Sequence, residues 1–439
     1  MPAALLDIDR ELTRQSYYAA TAPPAPRHAP LQGRVDTDVA IVGAGLAGLS
    51  AALELAQRGL RVTVLEAAQV GWGASGRNGG QAIHGLACDM AVIEAQLGRD
   101  DARRVWDMTI EALDLLRERC RHHAFDCDWR DGFLEVAVNA KKAGDLQARA
   151  ERIATVYGYP LTWIAPEQLP RWLASPRYHS GLHDPRSGHL HPLKYTQGLA
   201  RAAAGLGVAI HEDSAVLRLE HGTPALLHTA QGQVSARHVL LAGNVYLQGL
   251  APRLQRRIMP VGTYIVCSEP LGADKAGALI PSGAAVCDNN FVLDYFRTTA
   301  DHRLLYGGRV SYSTRTPRHL AASMHRRMCD TFPQLAGLAA TRLDFAWGGF
   351  VDISMNRAPD FGRLGTGAAA NVYYLQGFSG HGLALTGLAG KLVAEAMAGD
   401  ASRFDTFARI RHRSFPGGKW LRTPALVLAM SYYRLRDVL

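Results

Sequence analysis

Residues 38–66 read DVAIVGAGLAGLSAALELAQRGLRVTVLE. Asp38 to Val42 is an uninterrupted β-branched and apolar run, the pattern of a short buried strand. Leu49 to Arg58 carries strong helix formers at helical apolar spacing, and Arg61 to Leu65 is a second strand that ends at Glu66. Between the first strand and the helix stands Gly43-Ala44-Gly45-Leu46-Ala47-Gly48, a GxGxxG turn. Such a turn alone is weak evidence. Here it leaves a strand, opens a helix, and has an acid at the end of the next strand, which makes a βαβ dinucleotide-binding unit. Gly43 permits the tight turn, Gly45 lets backbone approach a pyrophosphate, and Gly48 lets the helix pack closely on the strand. The helix N-terminus offers free N–H groups and partial positive charge to phosphate. Glu66, with Ala67 beside it, is placed to accept hydrogen bonds from an adenosine ribose.

This motif does not separate NAD from FAD. Two later stretches favour FAD. Gly71 to Gln81 (GWGASGRNGGQ) follows Glu66 directly, and its small residues suit a loop wrapped on a long extended cofactor. Gly73, Ala74, Ser75, Arg77, Asn78, Gly79, Gly80 and Gln81 are the candidates there. Late in the chain, Gln376 precedes Gly377-Phe378-Ser379-Gly380-His381-Gly382 and then a helix. Aimed at the pyrimidine edge of a flavin, that helix N-terminus would stabilise the negative charge of the reduced ring.

Composition agrees with a globular protein of more than one domain: 439 residues, 48% hydrophobic and 20% charged. The net charge of +9 admits an anionic partner, but Lys and Arg are scattered, so a nucleotide cofactor or acidic substrate accounts for it and nucleic acid is not expected. Six cysteines, none in a CxxC pair, predict no zinc site and reduced thiols. His189 and His191 form an HxH with no evident third ligand, so they read as loop structure, and no metal is expected. The N-terminus lacks the apolar core of a signal peptide, and the most apolar window, Val39 to Ala56, is broken by glycines and Glu54. A cytoplasmic protein with no transmembrane segment is therefore expected.

Farther along, helical patterns are predicted for Met90 to His122, Lys141 to Tyr157 and Leu193 to Leu206, and strands for Gly132 to Val138 and Val234 to Ala242. From about residue 255 the pattern turns antiparallel, with strands at Ile258 to Cys267, Phe291 to Thr299 and Arg303 to Gly308, the last two joined by a hairpin at Ala300 to His302. Near Asn371 the strand–Gly-turn–helix pattern returns. The fold expected is α/β plus α+β: a Rossmann-like FAD-binding domain with an inserted antiparallel-sheet substrate domain. Its limits are a lead-in at 1–33, a discontinuous FAD-binding domain at 34–90, 175–255 and 345–402, a substrate domain at 91–174 and 256–344, and an extension at 403–439 whose Leu421 to Leu439 part is an amphipathic helix candidate.

Taken in order, GAGLAG, GWGASGRNGGQ and the late GFSGHG resemble the D-amino-acid-oxidase-like FAD oxidoreductases, the group that includes glycine oxidase and sarcosine oxidase. SYYAA at Ser16 to Ala20, GHLHPL at 188–193, AGNVYL at 242–247, LDYFRTTADHRLLYGG at 293–308, FGRL at 361–364 and FPGGKWLRTP at 415–424 resemble more narrowly the branch that oxidises γ-glutamylputrescine. The resemblance implies Val216 and Gly243 as further cofactor contacts. It implies hydride transfer from an amine α-carbon to flavin N5, hydrolysis of the imine to aldehyde and ammonia, and reoxidation by O2 to H2O2. Some sarcosine oxidases attach flavin through a cysteine shortly before a segment like Ala358-Pro359-Asp360; Val351 to Arg357 has none, so FAD is expected to be non-covalent. Only a neutral amine pushes out hydride, so an apolar, aromatic wall is expected around the amine. Tyr264, Tyr295 and Trp347 are its candidates, with His84 and His381 near the flavin and Arg297 or Arg309 for a substrate carboxylate. The alternatives are a secondary-amine or amino-acid oxidase, a flavin dehydrogenase that passes electrons to a partner, and an NAD-binding regulatory module. Oligomeric state is not legible.

Overall fold

The computed structural model describes residues 16–416 except 291, 312–318, 337–340 and 366–369, and also excludes the side chains of 309–311. Two sheets divide the chain. In the first, the strands run Asp360–Leu364, Val372–Gln376, Gly232–Leu241, Gly33–Val42, Val62–Leu65, Ala209–His211. All neighbours in this row are parallel except the antiparallel edge strand Asp360–Leu364. The leading strand is longer than the apolar run that announces it, because residues 33–37 pair with 232–236.

Helices Leu46–Gln57, Arg99–His122, Pro192–Gly205 and Gly382–Met397 bury their apolar faces in one core with this sheet, through Leu49, Leu53, Leu113, Leu199 and Leu388 among others. Two of these helices touch backbone to backbone: a Cβ on Gly390 would lie 2.5 Å from the Ala51 nitrogen. Arg99–His122 falls in the stretch expected to form the substrate domain, yet its buried side shares the core of the first sheet. It also closes that core electrostatically. Arg119, buried, donates to Glu54 Oε1 at 2.8 Å and to Ser50 Oγ at 3.1 Å. Arg119→Met should destabilise the protein by about 2 kcal/mol, because the largely buried Glu54 carboxylate loses one of its two arginine partners and keeps only Arg58. A urea midpoint equal to that of the wild type would remove this pair from the stability account.

The second sheet runs Leu343–Ser354, Ile258–Ser268, Leu304–Ser311, Tyr295–Thr298, Ala285–Asp288, Arg130–Ala137, Ser180–His189, Gln81–Ala82. It is antiparallel except where Ala285–Asp288 runs parallel to Arg130–Ala137. The hairpin expected at 300–302 joins two of its strands, with His302 at φ +60°. Ser180–His189 and Leu343–Ser354, which the sequence pattern places with the first domain or in loops, are strands of this second sheet. Each hides its period. In Ser180–His189, Pro185 and Arg186 are exposed where the pairing with Arg130–Ala137 slips register between Asp131 and Phe133. In Leu343–Ser354, Gly348 and Gly349 imitate a turn. A Cβ on Gly348 would meet the Tyr264 ring at 2.7 Å, so glycine is what lets that ring lie across the strand.

The expected lead-in is partly structural. Tyr17 and Tyr18 are buried against Trp347, Ile265 and Leu305 of the second sheet. Tyr17 donates to Asp301 Oδ1 at 2.6 Å. The candidate helix at Leu421 to Leu439 lies outside the described residues, as do the side chain of Arg309 and most of the FPGG segment.

Candidate active site

The first glycine turn is built as its spacing requires. Gly43 has φ +107°, and a Cβ there would stand 2.9 Å from the Ala242 carbonyl oxygen. A Cβ on Gly48 would stand 2.0 Å from the Gly43 carbonyl oxygen, closer than any side chain permits. Glu66 pins this turn: one oxygen accepts from Ala44 N–H at 2.8 Å and the other from Ala68 N–H at 2.9 Å. Burial pushes its carboxyl pKa up against those hydrogen bonds.

The second loop folds onto the first. Gly71 N–H donates to the Ala44 carbonyl at 3.0 Å, and Ser75 Oγ accepts from Leu46 N–H at 2.9 Å, at the start of the helix. A Cβ on Gly45 would stand 2.7 Å from that Ser75 oxygen, so the second glycine also makes room for the second loop. Asn78 serves the loop itself, donating to the Ala74 carbonyl at 2.9 Å and accepting from Gly80 N–H at 2.8 Å.

The late turn is held from the second sheet by a residue with no motif to announce it. Asp352, buried on Leu343–Ser354, accepts through Oδ2 from Gly377 N–H and, at 3.1 Å, from Phe378 N–H. Ser379 N–H donates to the Asp352 carbonyl at 3.0 Å. Burial pushes the Asp352 carboxyl pKa up to about 6. The N–H groups of Gly377, Phe378 and Ser379 are therefore spent on Asp352. The N–H groups that open this end of the segment are those of the first turn of the helix Gly382–Met397.

All three segments open on one cavity of about 1120 Å³. From the expected cofactor set, Gly43, Gly45, Leu46, Ala47, Glu66, Ala67, Gly73, Ala74, Ser75, Asn78, Gly79, Gln81, Val216, Gly243, Phe378, Ser379, Gly380, His381 and Gly382 line it. Ala44, Gly48, Arg77, Gly80 and Gly377 stand behind the lining. Their parts are structural: Ala44 serves Glu66, Gly48 the helix contact, and Gly377 the Asp352 latch. Gly80, at φ +77°, lies where a Cβ would be 2.2 Å from the Leu190 carbonyl oxygen. The Arg77 carbonyl accepts from Trp347 Nε1 at 3.0 Å, and its guanidinium covers the Trp72 ring.

Of the aromatic candidates, Tyr295 lines the cavity and Tyr264 and Trp347 do not. Met259, Val261 and Thr263 face the cavity from Ile258–Ser268, and Tyr264, past a register shift between Thr263 and Tyr264, packs on Val245, Ile258 and Phe350. Trp347 is buried with Tyr17 and Tyr18. His381 lines the cavity, and burial pushes its pKa down to about 4, so it is neutral at neutral pH. His84 does not line it: its Nδ1 pairs with Asp184 Oδ2 at 2.7 Å, in a knot that Tyr159 and Ser187 complete. Arg297 is likewise no substrate clamp. It is buried, and its donors go to the carbonyls of Gly79 at 2.8 Å, Leu190 at 3.0 Å and Thr298 at 3.3 Å and to the Tyr18 hydroxyl at 3.1 Å. Arg357 lines the cavity instead, the only Lys or Arg among the described residues that does so, and adds to the positive field at His381. His189 bonds the Gly283 carbonyl and His191 the Thr21 hydroxyl.

Two polar atoms on lining residues are buried and find no partner among the described residues: Trp72 Nε1 and Asn244 Oδ1. Buried polar groups are usually paired, so these two atoms leave one donor and one acceptor for whatever fills the cavity. A long cavity bordered by glycine turns, an acid at the first turn and unpaired donor and acceptor atoms fits an extended dinucleotide such as FAD.

Such a parallel sheet with a GxGxxG turn, roofed by a second, mostly antiparallel sheet, defines a dinucleotide-dependent oxidoreductase fold. The chain belongs to the FAD dependent oxidoreductase (DAO) family, whose sequence model matches residues 38–396. It is 44% identical over 423 residues to the gamma-glutamylputrescine oxidoreductase of Escherichia coli (strain K12), covering 96% of this chain and 98% of that protein. It is 38% identical to the probable oxidoreductase OrdL of Haemophilus influenzae, covering 96% and 97%. Among solved structures, glycine oxidase from Geobacillus kaustophilus superposes with a TM-score of 0.68 at 21% identity, over 83% of this chain and 95% of that one. L-amino acid deaminase from Proteus vulgaris superposes with a TM-score of 0.71 at 17% identity, over 89% and 100%. The protein is thus an FAD-dependent oxidoreductase with the fold of those enzymes. Among the described residues, no helix is long and apolar enough to cross a membrane.

Proposed function

We propose that this oxidoreductase is an amine oxidase that converts γ-glutamylputrescine, O2 and water into the corresponding aldehyde, ammonia and hydrogen peroxide. The observation that carries the substrate is the 44% identity to the gamma-glutamylputrescine oxidoreductase of Escherichia coli over nearly the full length of both chains. In this reading FAD lies along the cavity, with its adenosine at Glu66 and Val216, its pyrophosphate at Gly45 and Ser75, and its ring between Tyr295 and the late turn. FAD supplies the two-electron acceptor. The protein binds it non-covalently and prepares the substrate.

Tyr295 and Cys287 from the second sheet, with Leu293 and Ile83, give the ring end an apolar wall. An alkylamine there is pushed toward its neutral form, the only form whose lone pair drives the oxidation. His381 adds no charge, because burial keeps it neutral. Arg357 accounts for the γ-glutamyl part: its guanidinium holds the carboxylate at the end of the substrate away from the reacting amine.

The deciding experiment is a peroxide assay on the purified yellow protein with γ-glutamylputrescine, putrescine, sarcosine and glycine. Peroxide with γ-glutamylputrescine at the lowest KM is the expected result. Turnover of sarcosine or glycine in its place overturns the substrate. Fast dye reduction with slow oxygen uptake overturns the oxidase assignment in favour of a dehydrogenase.

A further inference from the structure

Asn244 stands where the strand Gly232–Leu241 gives way to the next turn, in left-handed backbone at φ +50°. It lines the cavity between Gly243, which adjoins the first glycine turn, and Asp352, which holds the late one. Its side-chain amide is close enough to the Asp352 carboxylate to favour the charged form. A carboxylate only accepts, so the Asn244 amide must present its NH2 to Asp352 and turn Oδ1 away. That Oδ1 is buried and meets no partner among the described residues. Asp352 therefore does two things with one charge: it fixes the late turn through Gly377 and Phe378, and it sets which end of the Asn244 amide faces the cavity.

We propose that Asn244 is a cofactor-binding residue whose Oδ1 accepts a hydrogen bond from a ribityl hydroxyl of FAD, and that Asp352 is the positioning residue that aims it. The ribityl chain is the donor because Asn244 lies between the two turns assigned to pyrophosphate and ring; the inference rests on that placement of FAD. An amide at position 352 would offer its own NH2 to Asn244 and let the Asn244 amide reverse, putting a donor where the acceptor was. Exchanging the two side chains restores the arrangement. The amide then at position 352 would accept from the late turn through its oxygen and donate to the carboxylate at position 244, whose other oxygen would face the cavity.

The test is titration of flavin-free protein with FAD, followed by flavin fluorescence, for wild type, N244A, D352N, N244D and the exchange D352N/N244D. Circular dichroism accompanies each titration. N244A should weaken FAD binding about tenfold, as expected for an unmade hydrogen bond at a buried site. It should also lose the wild type's preference for FAD over an analogue lacking the ribityl hydroxyls. D352N and N244D should each weaken binding, and the exchange should recover most of the loss. N244A with wild-type affinity, or an exchange no better than either single variant, overturns the inference. If D352N fails to fold, N244A and the analogue decide it alone. A folded wild type that binds no FAD would instead bring down the placement of the cofactor.

Discussion

Gly48→Val should yield protein without bound flavin and with a collapsed melting temperature. The added Cβ would fall 2.0 Å from the Gly43 carbonyl oxygen and 3.2 Å from Ile41 Cγ2. The first of these is backbone, in a turn already held by Glu66 through Ala44 N–H, so it has nowhere to retreat. Relief requires the helix Leu46–Gln57 to lift off the sheet. That helix is buried along nearly its whole length and packs on Gly382–Met397 at backbone distance, so the shift spreads into the core. A loss above about 4 kcal/mol is in the range that overpacking with backbone displacement produces. The check is the ratio of flavin to protein absorbance together with the thermal midpoint. Gly144→Ala is the control: it sits in the helix Ala140–Tyr157 with no atom within 4 Å of the new Cβ, and should stabilise by about 0.5–1 kcal/mol. Flavin retention by Gly48→Val would show that the turn tolerates a side chain and is not the close packing point.

That contact was legible in the sequence because its cause is local. Gly43, Gly45, Gly48 and Glu66 act within one strand–turn–helix–strand, and the same holds for the late Gly377 to Gly382 turn. What escaped the sequence depends on residues far apart. Asp352 meets Gly377 twenty-five positions on, and nothing in WGGFVDIS distinguishes an acid that latches a turn from one that faces water. The Gly348-Gly349 pair hid a long strand because a glycine opposite Tyr264 looks, in one dimension, like a turn. Two of the three aromatic candidates, Tyr264 and Trp347, lie off the cavity for a related reason. Alternation assigns Tyr264 a face only if the strand's register is known, and the bulge at Thr263 cannot be read from composition. Arg297 was misread because a buried arginine that donates to three carbonyls has the same one-letter surroundings as one that binds substrate.

The second large effect separates those two arginines. Arg357→Ala should raise the KM for γ-glutamylputrescine on the order of thirtyfold, about 2 kcal/mol, the scale of a charge-assisted hydrogen bond removed from a bound carboxylate. kcat should change little, because the guanidinium acts at the end of the substrate remote from the oxidised carbon, and binding lost equally in ground and transition states appears in KM. Free putrescine should respond in the opposite sense. At the nitrogen that γ-glutamylputrescine carries as a neutral amide, free putrescine carries a second ammonium and has no carboxylate beyond it, so Arg357 repels it, and Arg357→Glu should improve its kcat/KM relative to the wild type. Arg297→Ala should do neither: stripped of donors to Gly79, Leu190 and Tyr18, the loop and the lead-in around Tyr18 lose their anchor, and folded protein should be lost before any KM is measured. An Arg357→Ala enzyme with an unchanged KM for γ-glutamylputrescine would place the carboxylate elsewhere and leave the cavity's only described arginine without a part in choosing the substrate.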